Sequence, residues 1–163
     1  MDINQEVERL KRIPMFSKVE LSKLKLLAFT SPLLNCRKGE ILIQANDPSD
    51  CVYLIMDGEL EILSRTDCGR ESSFVRKRGD LIGEIAVLSK TRRTASVKAL
   101  CDATVMRIDD AAFLELVTAN PDVALDVMRQ LSDKLVEAVH SNDSLRARLQ
   151  ELEKCGGESD DER

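Results

Sequence analysis

The segment of this 163-residue chain with the most evident chemistry is Gly79-Asp80-Leu81-Ile82-Gly83-Glu84-Ile85-Ala86-Val87-Leu88-Ser89-Lys90-Thr91-Arg92-Arg93-Thr94-Ala95-Ser96-Val97. Gly83 permits a tight backbone turn. Glu84 to Leu88 is long enough for one short helix, whose leading amides have no partner within the helix and favour an anion. Arg93 follows nine residues after Glu84, where a strand should resume. It offers a planar fork of donors matched to a phosphate. Glu84 is an acceptor and suits a neighbouring hydroxyl rather than the phosphate itself. An anion seat with one carboxylate beside it asks for a ligand that carries phosphate and alcohol together.

Positive charge is concentrated around that segment. Between Ser64 and Lys98 nine basic residues stand against four acidic ones; the chain's net charge is −5, so the remainder carries −10. The island reads either as the solvated face of a sheet or as the seat of one small anion. A chain this acidic disfavours a polyanion, which argues against nucleic acid as partner. With 43% hydrophobic and 33% charged residues, the composition is that of a folded globular protein, long enough for one good core. Four Phe, one Tyr and no Trp leave that core to be built from Leu, Ile, Val and Met.

Catalysis finds little support in the motifs. The chain contains no G-x-x-x-x-G-K-[ST], no G-x-S-x-G and no H-E-x-x-H, and the single histidine, His140, is expected to face solvent on a helix. Five widely spaced cysteines, Cys36, Cys51, Cys68, Cys101 and Cys155, form no C-x-x-C pair, so a zinc site lacks its ligands and no metal is expected. Free thiols in a reducing cytoplasm are the simplest account, most of them filling space as small hydrophobes. The start Met1-Asp2-Ile3-Asn4-Gln5-Glu6 is no secretory leader, and no apolar run approaches the roughly 18 residues of a membrane span. A cytoplasmic location without membrane contact is therefore expected.

The elements that must position Glu84 and Arg93 follow from the hydrophobic period. Residues 1 to 30 read as helical: Ser17-Lys18-Val19-Glu20 fits a capping box, Leu21, Leu24 and Leu27/Ala28 follow at helical spacing, and Pro14 and Pro32 bracket the helix. From Leu33 to about Ile108, short β-branched runs at 40–44, 52–55, 59–63, 73–75, 95–99 and 103–108 alternate with turn signals. Among these, Asp57-Gly58 predicts a hairpin. Such a series predicts a small antiparallel barrel or sandwich. Asp109 or Asp110 then caps a short helix, and Asn120-Pro121-Asp122 starts another. Neither glycine nor proline interrupts it before Gly156-Gly157.

That last helix carries a heptad seam. Met128, Leu135, Asn142 and Leu149 fall at a, and Leu131, Ala138, Leu145 and Leu152 at d. One asparagine at an a position costs stability but fixes register and favours a parallel pair, and Arg148 at g can reach Glu153 at e of a partner. Val123, Val127, Val136 and Val139 broaden the apolar face of the first half, which is expected to pack on its own domain as well. A parallel homodimer is the expectation.

Gly83-Glu84-Ile85-Ala86-Val87-Leu88 followed by Arg93-Thr94-Ala95-Ser96-Val97 resembles the phosphate-binding cassette of cyclic nucleotide-binding domains. This is the group of the bacterial catabolite activator protein, cyclic-nucleotide-dependent kinases and cyclic-nucleotide-gated channels. The resemblance covers about residues 8 to 140. Ile13-Pro14-Met15-Phe16 and the Leu-rich helix after it are similar to the family's N-terminal helices. Lys38-Gly39-Glu40-Ile41-Leu42, Asp47-Pro48-Ser49-Asp50 and Tyr53-Leu54-Ile55-Met56-Asp57-Gly58-Glu59-Leu60 are similar to its early strands. The resemblance implies that Glu84 accepts the ribose 2′-hydroxyl and that Arg93 pairs with the exocyclic phosphate oxygens. Gly83 then forms the turn, backbone amides of Ile85, Ala86 and Ala95 complete the cradle, and Thr94 adds a hydroxyl. Asn46 stands where the family commonly has glycine; asparagine tolerates the left-handed conformation best after glycine. Where the catabolite-activator type touches the base across the dimer with a Thr-Ser pair, this chain has Ala138 and Val139, an apolar lid with His140, Ser141 or Asn142 as the polar candidates nearby.

The expected architecture is mainly β: a jelly-roll barrel with N-terminal helices over residues 1–120, a coiled-coil dimerisation helix over 121–155, and a disordered acidic tail over 156–163. The expected function is a non-catalytic sensor of a cyclic nucleotide, cAMP rather than cGMP. Only eleven residues follow Leu152, too few for a DNA-binding helix-turn-helix, so output is expected through another protein. The competing expectation is a diverged scaffold that dimerises and takes a protein partner or another small anion.

Overall fold

A computed structural model describes residues 2–65, 69 and 71–156. Helix α1 (Ile3–Lys11) opens with Asp2, whose carboxylate accepts the Asn4 amide at 3.0 Å. A 3-10 turn (Pro14–Phe16) leads to α2 (Leu21–Thr30), which buries Leu24, Leu27 and Ala28. The expected capping box does not form. Ser17 Oγ donates to the Pro14 carbonyl at 2.9 Å, closing the 3-10 turn, and α2 starts four residues later with Glu20 as its N-cap residue. The hydroxyl is satisfied by the turn that precedes the helix, where Pro14 presets the backbone.

Among the described residues, eight strands build two antiparallel four-stranded sheets. The first has the order β1 (Leu33–Cys36), β8 (Ala103–Asp109), β3 (Cys51–Asp57), β6 (Leu81–Ile82). The second has the order β2 (Ile41–Ile43), β7 (Ser96–Ala99), β4 (Leu60–Arg65), β5 (Glu71–Arg76). Cys36, Ile55, Ile82, Ala103 and Val105 of the first sheet and Ile43, Leu60, Val97 and Ala99 of the second form one buried cluster. The fold is thus the jelly-roll arrangement expected, with two sheets over a shared core rather than one closed barrel. Strands β1 and β6 lie outside the six runs marked by composition; β6 has only two residues, too few to display a period.

Asp57-Gly58 is a corner and not a hairpin. Strand β3 pairs with β6 and β8, whereas β4 pairs with β5 and β7, so these two residues carry the chain from one sheet to the other. Gly58 has φ +87°, and a β-carbon there would lie 2.7 Å from Ala103 Cβ and 2.8 Å from the Asp102 carbonyl oxygen. Left-handed strain and overpacking add at this position, and Gly58→Ala is expected to cost roughly 3 kcal/mol. Urea denaturation should show a lower midpoint at unchanged slope; a wild-type midpoint would mean that the corner relaxes freely.

After β8, α4 (Asp110–Ala119) buries Phe113, and α5 (Pro121–Gly156) begins with proline in its first position. Asn120 marks the boundary: its carbonyl accepts Ala124 N–H, while its side-chain amide donates back to the Leu116 carbonyl. The chain falls into two compact units that divide between Val127 and Met128. The first holds both sheets, α1, α2, α4 and the opening turns of α5, with Val123 and Val127 buried. The second is the remainder of α5, helical through Gly156; Gly157 and the acidic tail lie outside the described residues. No described helix is long and apolar enough to cross a membrane.

Candidate functional site

The segment singled out in the sequence is laid along β3 by the short strand β6, through the pairs Tyr53↔Ile82 and Leu54↔Leu81. Gly83 follows with φ +84°, the left-handed turn that glycine allows. Helix α3 (Glu84–Ser89) then starts with Glu84 at its first position, only 1% exposed. Lys90, itself left-handed at φ +54°, ends the helix by donating its N–H to the Ala86 and Val87 carbonyls. Thr91 N–H also returns to the Ala86 carbonyl, at 3.0 Å.

Arg93 is fixed at both ends. Its backbone N–H donates to the Asp47 carbonyl and its own carbonyl accepts Asn46 N–H, each at 2.9 Å. Asn46 has φ +72°, the conformation that the sequence requires of a residue in a glycine position. The Arg92 guanidinium donates to the Asn46 carbonyl at 3.1 Å, which ties the turn between β2 and β3 to the arginine pair. Arg93 is 7% exposed, so its guanidinium needs compensating partners. Nη1 donates to the Gly83 carbonyl at 3.2 Å, and Nη2 donates to the Cys51 carbonyl at 2.8 Å and to Cys51 Sγ at 3.3 Å. The centre of the guanidinium stands 5.9 Å from the centroid of the Tyr53 ring. A β-carbon on Gly83 would run into Arg93 Nη1, the tip of a side chain, so it is the left-handed turn that requires glycine there, and a substitution would also press on the guanidinium.

One corner therefore gathers Gly83, the start of α3 at Glu84, and the Arg93 guanidinium. Ala86 is buried beneath it, Ala95 is half-buried, and Ile85 and Thr94 are exposed. A buried cation against a backbone turn, with an acidic side chain one residue on, can receive an anion and a hydroxyl together. Ala138, Val139 and Asn142 are exposed positions of α5 in the second unit, as is His140. Among the described residues no group of three or more His, Cys, Asp or Glu is placed to hold a metal.

Two neighbours of Arg93 carry no signal in the sequence. Cys51 reads as a filler and Tyr53 as one residue of a strand; both face the arginine because they alternate along β3 and β6 brings the cassette alongside. Burial pushes the Tyr53 phenol up to about 12, with a side-chain hydrogen bond to Cys51 acting in the same direction. Burial also raises the Cys51 thiol, against the opposing pull of that hydrogen bond and of Arg107 and Arg93. Of the other cysteines Cys36 is buried, Cys101 half-buried and Cys155 exposed, all free, so space-filling describes fewer of them than expected; Cys68 lies outside the described residues.

The fold recurs in known proteins. A potassium channel protein by name, from Rhodopseudomonas palustris, is 32% identical over 117 residues, which are 69% of this chain and 27% of that protein. The chain thus spans about a quarter of that relative. The regulatory domain of Toxoplasma gondii protein kinase A, solved with cAMP, superposes with TM-score 0.69 at 18% identity, covering 83% of this chain and 50% of the other. The regulatory subunit of a cAMP-independent protein kinase A from Trypanosoma cruzi, bound to guanosine, gives 0.70 at 21% identity, over 80% and 46%. At these identities the two structures establish the fold alone. The sequence model described as Cyclic nucleotide-binding domain matches residues 33–120, from the first strand of the sandwich to the start of α5, and by that match the chain belongs to the cyclic nucleotide-binding domain family.

Proposed function

We propose that this chain is a non-catalytic regulatory module that binds a cyclic nucleotide, cAMP in preference to cGMP, and signals from the cytoplasm by pairing α5 with that of a second copy. The observation that carries this reading is the buried Arg93 guanidinium held against the Gly83 carbonyl, one residue before the buried Glu84. Three contacts with Cys51 and Gly83 take up three of the five N–H groups of the guanidinium, and the others remain for a phosphate. In this reading Arg93 pairs with the exocyclic phosphate and Glu84 accepts the ribose 2′-hydroxyl. Amides of Ile85, Ala86 and Ala95 and the Thr94 hydroxyl complete the cradle. The preference for cAMP rests on the likeness to the Toxoplasma domain solved with cAMP. In this reading Ala138 and Val139, with Asn142, meet the base across the dimer. Ordering of residues 83–95 by the phosphate is passed through the 110–140 helices to the seam Leu131, Leu135, Asn142, Leu145, Leu149 and Leu152, and thence to an output protein. Linkage requires the two arrangements of these helices to differ in ligand affinity.

A second reading, a diverged scaffold whose site takes a different ligand, is favoured by the Trypanosoma relative that holds guanosine. Calorimetric titration with cAMP, cGMP, guanosine and 5′-AMP separates the two. Micromolar or tighter binding of cAMP, weaker binding of cGMP and none of 5′-AMP is the expected outcome. Binding of guanosine alone would establish the second reading, and absence of heat with both cyclic nucleotides would refute the first.

A further inference from the structure

Arg93 must be both buried and held still if it is to meet a phosphate without reorganising. An arginine side chain loses roughly 2 kcal/mol of rotamer entropy when it is fixed. That cost falls on folding rather than on binding only if groups other than the ligand already hold the guanidinium in place. Two carbonyls hold its edge, those of Gly83 and Cys51. Its face has a different support, the ring of Tyr53, at 5.9 Å from centre to centroid. That ring also packs against the buried cluster between the sheets, so it is anchored by the core and not by the arginine. The sulfur of Cys51, two residues before Tyr53 on the same strand, accepts from Arg93 Nη2.

We infer that Tyr53 is the positioning residue of the proposed phosphate-binding arginine, a neutral platform that orients Arg93 while leaving its charge available to an anion. This deepens the proposed function and rests on it for the identity of the anion. Neutrality is the decisive property. A tyrosinate or thiolate at this distance would form an ion pair with the guanidinium and compete with phosphate for it. Both groups are neutral near pH 7 by their ordinary values, and burial raises the phenol further, to about 12, and the thiol as well, against the pull of Arg107 and Arg93. An aromatic face attracts the cation through its quadrupole without neutralising it, and more strongly where water is excluded.

Tyr53 is the only tyrosine and the chain has no tryptophan, so its emission and its titration can be read directly. In the ligand-free chain, a double-mutant cycle of Tyr53→Leu and Arg93→Ala, followed by urea denaturation, should show coupling of at least about fivefold in the folding constant, as expected of a cation–π contact. Additive effects would overturn the contact whether or not a nucleotide binds. In the liganded arm, Tyr53→Leu should weaken cAMP about tenfold, and Tyr53→Phe, which keeps the ring, should restore binding to within about threefold. Saturating cAMP should change wild-type tyrosine emission. The phenol should remain un-ionised at pH 10, where a free tyrosine is about half ionised. Wild-type affinity in Tyr53→Leu, or a loss in Tyr53→Phe as large as that in Tyr53→Leu, overturns the positioning role. Failure of the wild-type chain to bind any cyclic nucleotide overturns instead the function on which the liganded arm rests, and the ligand-free cycle still decides the contact.

Discussion

Replacing Arg93 by alanine is expected to weaken cAMP binding by about a hundredfold to a thousandfold, with the fold intact. The size follows from where the charge sits. Removing one member of a buried, hydrogen-bonded charge pair costs about 2 to 5 kcal/mol, and each 1.4 kcal/mol is about a factor of ten in affinity. Arg93 is 7% exposed, so the middle of that range, about 3 to 4 kcal/mol, applies. Lysine is not a rescue: it retains charge but lacks the fork that reaches the Gly83 and Cys51 carbonyls while facing an anion. Arg93→Lys should therefore lose at least about tenfold by the same scale. Alanine also leaves those two carbonyls without the guanidinium, a stability loss of about 1 to 3 kcal/mol. Circular dichroism and the denaturation midpoint must accompany the calorimetry. A folded Arg93→Ala chain that binds cAMP within threefold of wild type would show that phosphate recognition resides elsewhere.

Why Arg93 was legible and its supports were not is a matter of range. Gly83, Glu84 and Arg93 belong to one short segment, and the turn, the helix start and the resumed strand are local events that residue types announce. Asn46 was legible for the same reason, since a positive φ is a property of one residue. Tyr53 and Cys51 reach Arg93 only through the pairing of β3 with a two-residue strand more than twenty-five positions away, and no period in the sequence encodes that register. The Asp57-Gly58 turn shows the converse. Its residue chemistry correctly announces left-handed backbone at Gly58, yet the next strand crosses to the other sheet because β3 pairs with β6 and β8 while β4 pairs with β5 and β7, partners distant in sequence that no local signal encodes. Ser17 failed by competition within local structure, because the 3-10 turn claimed its hydroxyl before α2 began.

The seam of α5 gives the other large effect: Leu145→Lys combined with Leu149→Lys is expected to convert a dimer into a monomer. In the single chain, large apolar side chains stand open to water along this helix, Leu135 at 66% and Leu152 at 68% exposed, with Met128 and Leu149 also exposed. Their spacing is that of a heptad seam, and pairing two copies would bury them. The double variant places four ammonium groups in adjacent layers of a pair. Each costs several kcal/mol when buried without a counter-charge, and together they exceed the free energy that holds a typical micromolar to nanomolar dimer, about 8 to 12 kcal/mol. Gln150→Lys, at the outward b position, adds the same charge to the same turn and should leave the mass unchanged. Sedimentation velocity distinguishes the outcomes directly. A wild-type monomer, or a double variant that still sediments as a dimer, would remove the seam from the mechanism. Asn142 supplies the orientation test, because a polar a-position side chain is satisfied best by its own counterpart across a parallel pair. Asn142→Leu should then strengthen association while allowing higher oligomers. A shift from one sedimenting species to a mixture, at higher affinity, is the result that identifies Asn142 as the residue that fixes register.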